Sequence, residues 1–431
     1  QGGSLESEGT LNVTFTGVQN DARNAKGNDQ IAYDGENTSF LNQQTKSYAV
    51  RVEAGTGTTT VTIASGEIKN TVGGGVLVNG GTVHLGGYVD ENGTAHTSQK
   101  PVTVQTTGTE VDTSPIRING MADNWAYYWN KTGGDAVKVD GGELAVYGGT
   151  YKAAQGNGIL TRGGTANIYN GTFTGGYNST YHATTGAAST YSFKAYGGTV
   201  NISGGNFDSA AEGAFVMGTS ASDKVTITGG SFQADGPTAF ATWNGATVEF
   251  DDTNSENKIV VSGESTGLTV EQVSSDWSSQ NITIKSATFK STNQNDSNKN
   301  GIWYGNGNAK LTISGGSFTG STGSGLYFAA NPGNNVQLSG GTYYGHSSEQ
   351  YDWKVTNGNP TWYNNGSIGS TVRAEYQVPS YRRVGVGHDL HLNAIIAAGC
   401  NVYVNDVQIY AGTNDGSICD TISKHDVVVI K

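Results

Sequence analysis

The sequence predicts an all-β solenoid, on three observations. A short strand-corner-strand motif recurs along the chain, its copies are spaced like repeat units, and the composition leaves little material for helices. The motif is clearest at Val225-Thr-Ile-Thr-Gly-Gly-Ser-Phe232, which reads apolar-x-apolar, two small turn residues, one polar residue, then a ring. Other copies are Val61-x-Ile63 with Ile68, Leu144-x-Val146 with Tyr151, Ala166-x-Ile168 with Phe173, Val200-x-Ile202 with Phe207, Ile282-x-Ile284 with Phe289, Leu311-x-Ile313 with Phe318, and Val336-x-Leu338 with Tyr343.

Apolar residues at every second position mark a half-buried strand, and the small residues that follow can turn a sharp corner. The first apolar residues lie 22 residues apart (144 to 166), then 34, 25, 57, 29 and 25. The long interval is two units, with Thr247-Val-Glu-Phe250 in the middle. Repeats of this length point to a solenoid. Helical solenoids need good helix formers at three-and-four spacing, whereas this chain carries 65 Gly and is rich in Thr, Ser and Asn.

The Val-x-Ile-x-Gly-Gly-x-Phe pattern resembles the right-handed parallel β-helix proteins, the superfamily of pectate lyases, polygalacturonases, phage tailspikes and many bacterial surface proteins. The resemblance spans Tyr48 to Val372. It implies a right-handed parallel β-helix with N- and C-terminal caps, and rings such as Phe207 and Phe232 stacked in its core.

Along the chain, residues 1–47 lack the corner pattern, carry the polar run Asn20-Asp-Ala-Arg-Asn-Ala-Lys-Gly-Asn-Asp29, and are expected to cap the first coil. Residues 48–372 are expected to form the coils, which begin at Tyr48-Ala-Val-Arg-Val52. Two departures interrupt them, Tyr88 to Gly134 and Tyr344 to Asn365. Residues 373–431 form the expected C-terminal β cap: Asn401-Val-Tyr-Val-Asn-Asp-Val-Gln-Ile409 reads as a hairpin with an Asn-Asp turn, and Val427-Val-Val-Ile430 as a buried strand. Roughly a dozen coils at a strand spacing of about 4.8 Å would give a rod of about 55–60 Å.

A net charge of −12 with 24 Lys plus Arg argues against nucleic acid and against anionic membranes. No run of 18 apolar residues suggests membrane insertion, and Gln1 follows no targeting region, as in a mature or trimmed segment. The composition suits an extracellular or cell-surface protein. In an oxidising compartment Cys400 and Cys419 would form a disulfide; in a reducing one they would be buried thiols.

Aligning the strand before each motif on its Gly-Gly or Asn-Gly turn places Leu77, Lys138, Leu160, Lys194, Trp303 and Tyr327 on the outer face. Lys138, Arg162 and Lys194 then make a candidate groove on neighbouring coils. Trp125, Tyr127, Trp129, Trp353 and Trp362 fall in expected loops, where a large ring gains nothing from the core unless it folds back. With Trp303 and Tyr327 they are the candidate contacts for a glycan or a surface protein.

The resemblance implies enzymes that work on polysaccharide in an outer groove, but the polygalacturonase-type motifs are missing. Asp251-Asp252 stands alone, and adjacent strand residues point to opposite faces. Gly387-His388-Asp389 lies beyond the coils. Asp252-x-Asn254-x-Glu256 offers oxygens of the kind Ca²⁺ takes, without the glycine and distal carboxylate of the known loop, and His388-Asp389-x-His391 lacks further ligands. The outward pairs Ala145/Tyr147 and Asn167/Tyr169 break any flat Thr-x-Thr array suited to ice. The expected function is adhesion or display through carbohydrate or a surface partner, with no cofactor and no catalytic residues. The alternative is a polysaccharide lyase or glycoside hydrolase working along Lys138, Arg162 and Lys194.

Overall fold

The computed structural model describes the strand backbones 11–15 and 18–21, then residues 48–53, 58–70, 73–107, 134–176, 190–210, 212–218, 220, 222–243, 245–271, 280–295, 299–330, 335–345, 397, 399–410 and 427–431. Every described element is a β-strand, and successive coils pair in parallel as an all-β solenoid. The chain divides into two compact units, Gln1–Thr226 and Ile227–Lys431.

In the first unit the best-formed coils pair one long strand with one short one: Val137–Val146 with Thr150–Ala153, Ile159–Ile168 with Thr172–Gly175, and Tyr191–Ile202 with Asn206–Ser209. Each long strand bends at a Gly-Gly pair. Gly81, Gly142, Gly164 and Gly198 hold φ between 66° and 85°, in the left-handed region. A Cβ on Gly142 would meet the Gly81 carbonyl oxygen at 2.5 Å, and one on Gly164 would meet that of Gly142 at 2.5 Å, so the bends stack too closely for a side chain.

Alternation within the strands then fixes the interior. Leu144, Ala166 and Val200 lie in register, as do Val146, Ile168 and Ile202. The Tyr151 ring stacks on Phe173 at 4.8 Å and Phe173 on Phe207 at 4.8 Å, all fully buried. The Tyr151 hydroxyl donates to the Gly148 carbonyl at 2.7 Å, so a tyrosine can serve in this column without an unsatisfied polar atom. Each such ring contributes about 1.5–3 kcal/mol by burial.

Upstream, Val104 takes the column position between Ile68 and Tyr151. The expected departure after Tyr88 is therefore partly regular: the hairpin Gly87–Val89 with Ala95–Thr97 sits at the corner, and the coil resumes at Thr103–Thr106. Leu11–Phe15 and Val18–Asp21 pair in parallel with Thr59–Ile63 and Gly66–Asn70, covering those edges.

In the second unit loops replace the Gly-Gly bend. One coil runs Thr238–Thr242, Thr247–Asp251, Ile259–Gly263, and the next Thr266–Val270, Asn281–Ser286, Thr288–Ser291. The doubled interval is thereby explained. Val261 stands in the column between Phe232 and Phe289, but the turn over 252–258 separates it from its partner strand and hides the motif. The column continues through Phe318 to Tyr343, with rings 5.8 and 4.8 Å apart.

Val427–Ile430 runs antiparallel on Gly341–Gly345, with Val402–Val404 beside it and Val407–Tyr410 beyond. Asn405 and Asp406 carry φ of 48° and 67°, the hairpin turn expected from the sequence. These strands cover the last parallel edge with Val428 and Ile430 buried.

Candidate functional site

The outer-face alignment made from the sequence holds in the first unit. Leu77, Lys138, Leu160 and Lys194 occupy one register row, which continues to Phe215. The neighbouring row contains Phe193, whose ring meets Phe207 at 6.0 Å, so the interior lies on that side and Lys194 on the other. The row is sealed, however. Lys138 is 0 % exposed and Leu77, Leu160 and Lys194 are each 1 % exposed. The sequence pointed to an open groove here; pleating sets the direction of a side chain but not what covers it.

Burial makes charge compensation necessary. Asp140 lies between the two expected cations, with Lys138 Nζ 3.4 Å from one carboxylate oxygen and Arg162 Nε 3.6 Å from the other. Lys194 Nζ lies 5.0 Å from the centre of the Tyr191 ring, 5.1 Å from Tyr196 and 5.7 Å from Phe215. Burial lowers its pKa to about 7, against the opposing pull of Asp135 and Glu212. Burial also pushes the Tyr196 hydroxyl far above its usual range. Asp135 in turn accepts from the Asn157 backbone N–H at 2.8 Å and side-chain amide at 2.7 Å, while the Asn157 side-chain oxygen Oδ1 accepts from the Tyr191 N–H at 2.9 Å. This is a tie across coils built from buried polar groups.

In the second unit the corresponding row opens only at its later coils, where Thr269 is still buried but Trp303 and Tyr327 are partly exposed. Trp303 and Tyr327 are register neighbours on adjacent coils, both half-buried, with Thr269 on the other side of Trp303. The Trp303 ring lies over Gly305, where a Cβ would come within 2.0 Å of it. The Asp251-Asp252 pair divides as alternation requires. Asp251 faces Lys285 at 3.3 Å on the outside, and Lys285 also pairs with Glu249. Asp252 is buried, accepts from the Ile259 N–H at 2.8 Å, and holds the turn with Ser286. Its oxygens are thus engaged in the turn that the Ca²⁺ reading would have used. Among the described residues no three of His, Cys, Asp and Glu gather as a metal ligand set.

A further cluster, on the outside of the first unit, was not singled out from the sequence. The Tyr147 and Tyr169 rings stack at 5.2 Å, 4° from parallel, and His84 meets Tyr147 edge-on at 5.8 Å. Beside them runs an amide ladder: Asn201 donates to the Asn167 carbonyl at 2.9 Å, and Asn167 donates to Glu143 at 3.2 Å. The corner hairpin backs Tyr147, through the Thr97 hydroxyl donating to its carbonyl at 3.1 Å, whereas Tyr169 is 47 % exposed. Desolvation, then Tyr169 and Glu143, raise the Tyr147 pKa, and desolvation lowers that of His84. The signal was present in the outward pairs Ala145/Tyr147 and Asn167/Tyr169, which were read only for threonine.

Trp125, Tyr127, Trp129, Trp353, Trp362, His388, Asp389, His391 and Cys419 lie outside the described residues. Cys400 does not carry the expected disulfide; its thiol donates to the Ser339 carbonyl at 3.6 Å. No family model, curated protein or solved structure matches the chain.

Proposed function

We propose that this is an extracellular or cell-surface adhesion or display protein, a pectate-lyase-like β-helix scaffold that binds carbohydrate or a surface partner without catalysis. The observation that carries this reading is the chemistry left on the outside. Tyr169 offers exposed ring surface beside the Asn167 and Asn201 amides, and Trp303 and Tyr327 offer partly exposed rings on adjacent coils, while Asp140, Asp251 and Asp252 are each taken up by cations or by a turn. General acid–base work on a sugar bond needs two carboxyl groups facing one another across the substrate. Rings with polar neighbours need only a matching ligand.

A glycan array with product analysis on the same samples tests it. Binding without new reducing ends or unsaturated sugars is the expected result. The second reading, a lyase or hydrolase, draws on one observation, the grouping of Lys138, Asp140 and Arg162. Turnover that Arg162→Ala abolishes would establish it and overturn the first.

A further inference from the structure

Tyr147, Tyr169 and Ser203 occupy the same place on three successive coils. Each follows the last apolar residue of its long strand, and each backbone N–H donates to the preceding coil: Tyr147 to Leu85 at 2.9 Å, Tyr169 to Val146 at 2.9 Å, Ser203 to Ile168 at 2.8 Å. The first two rings stack, and the third position has no ring. Coils are about 4.8 Å apart, so the small serine leaves the second face of Tyr169 without the aromatic partner that Tyr147 provides on the first. Two residues earlier on the same strands, hence on the same face, stand Asn167 and Asn201. Their ladder has a direction. The Asn201 amide donates to Asn167, and Asn167 donates to Glu143, so among the described residues the Asn201 carbonyl ends the ladder as an exposed acceptor.

A flat apolar ring face beside a fixed acceptor matches a pyranose, which presents C–H groups on one face and hydroxyl donors at its edge. The charge in the ladder is the Glu143 carboxylate, on a protein of net charge −12. A uronate would meet that field, while a neutral sugar would not.

We propose that the open face of Tyr169, with Asn201 and Ser203 one coil on, is a stacking subsite for a neutral pyranoside residue of a glycan. This deepens the binding function proposed above and rests on it. The test uses the full chain against cellohexaose, mannohexaose, chitohexaose and a galacturonan hexamer, by calorimetry or interferometry, after the array has established whether wild type binds any polysaccharide.

The expected result is binding of at least one neutral hexamer in preference to galacturonan, weakened about tenfold or more by Tyr169→Ala and kept by Tyr169→Phe, with a smaller loss in Asn201→Ala. Because Tyr169 is 47 % exposed, the variant should keep its melting curve, which circular dichroism checks. Neutral-glycan binding that Tyr169→Ala leaves unchanged, or binding confined to galacturonan, overturns the subsite while adhesion stands. A wild type that binds no glycan at all sinks the subsite, and removes the carbohydrate arm of the proposed function with it.

Discussion

Leu77, Lys138, Leu160 and Lys194 in the first unit, and Trp303 and Tyr327 in the second, hold equivalent outward positions on their coils, yet the first four are sealed and the last two partly exposed. The charged groups differ in the same sense. In the first unit a carboxylate, Asp140, sits between two cations, one of them fully buried. In the second a cation, Lys285, sits exposed between Glu249 and Asp251. An outward position on a solenoid therefore has no fixed energetic meaning. Where it is covered it behaves as a second core, and where it is open it is free to serve recognition.

The sharpest way to break this comparison is a truncation on each row. Leu160→Ala should cost about 2–5 kcal/mol, as for a leucine in any core, although the residue faces away from the Tyr151–Phe173 column. Tyr327→Ala, in the open part of the second row, should cost less than about 1 kcal/mol. Urea midpoints of the two variants measure the difference. Equal midpoints would mean that coverage of the first row contributes nothing to stability.

Lys194 sharpens it further through pH. Its pKa is lowered from 10.5 to about 7 in the folded chain, so between those values the unfolded chain binds the extra proton and the folded one does not. Stability on this account rises with pH above 7, by up to about 1.4 kcal/mol per unit, and is flat below it, where both states are protonated. Lys194→Met should remove that rise, leaving wild type and variant diverging between pH 7 and 9 in urea titrations. Parallel curves would show that the ammonium is not desolvated.

Much of the architecture was legible because a two-residue period and a small corner are local properties of the chain. Phe173, Phe207, Phe318 and Tyr343 fell into columns from spacing alone. The coil containing Val261 was harder to see, since the turn over 252–258 broke the motif and an aliphatic residue stood in for the ring. The outer rows were aligned correctly, but their coverage was not readable, because it depends on what lies across the sheet and no periodicity encodes that. Tyr147 and Tyr169 were visible as outward residues, but their stacking on each other and the direction of the asparagine ladder required register between coils 22 and 34 residues apart in sequence.

The smallest expected effect belongs to Lys285. Glu249, then Asp251, hold its ammonium above the usual lysine range, and Asp251 is held below the usual carboxylate range by Thr253 as well as by Lys285. All three groups remain in contact with water, so their attraction is screened and the long lysine side chain loses freedom in making it. Lys285→Ala should accordingly leave the urea midpoint indistinguishable from wild type, both at low salt and in 1 M NaCl, where screening is nearly complete. A clear destabilisation that salt does not reproduce would assign Lys285 a packing role across the strands Thr247–Asp251 and Asn281–Ser286. The second unit would then have a covered outer surface too, and the contrast with Lys138 and Lys194 would be one of degree.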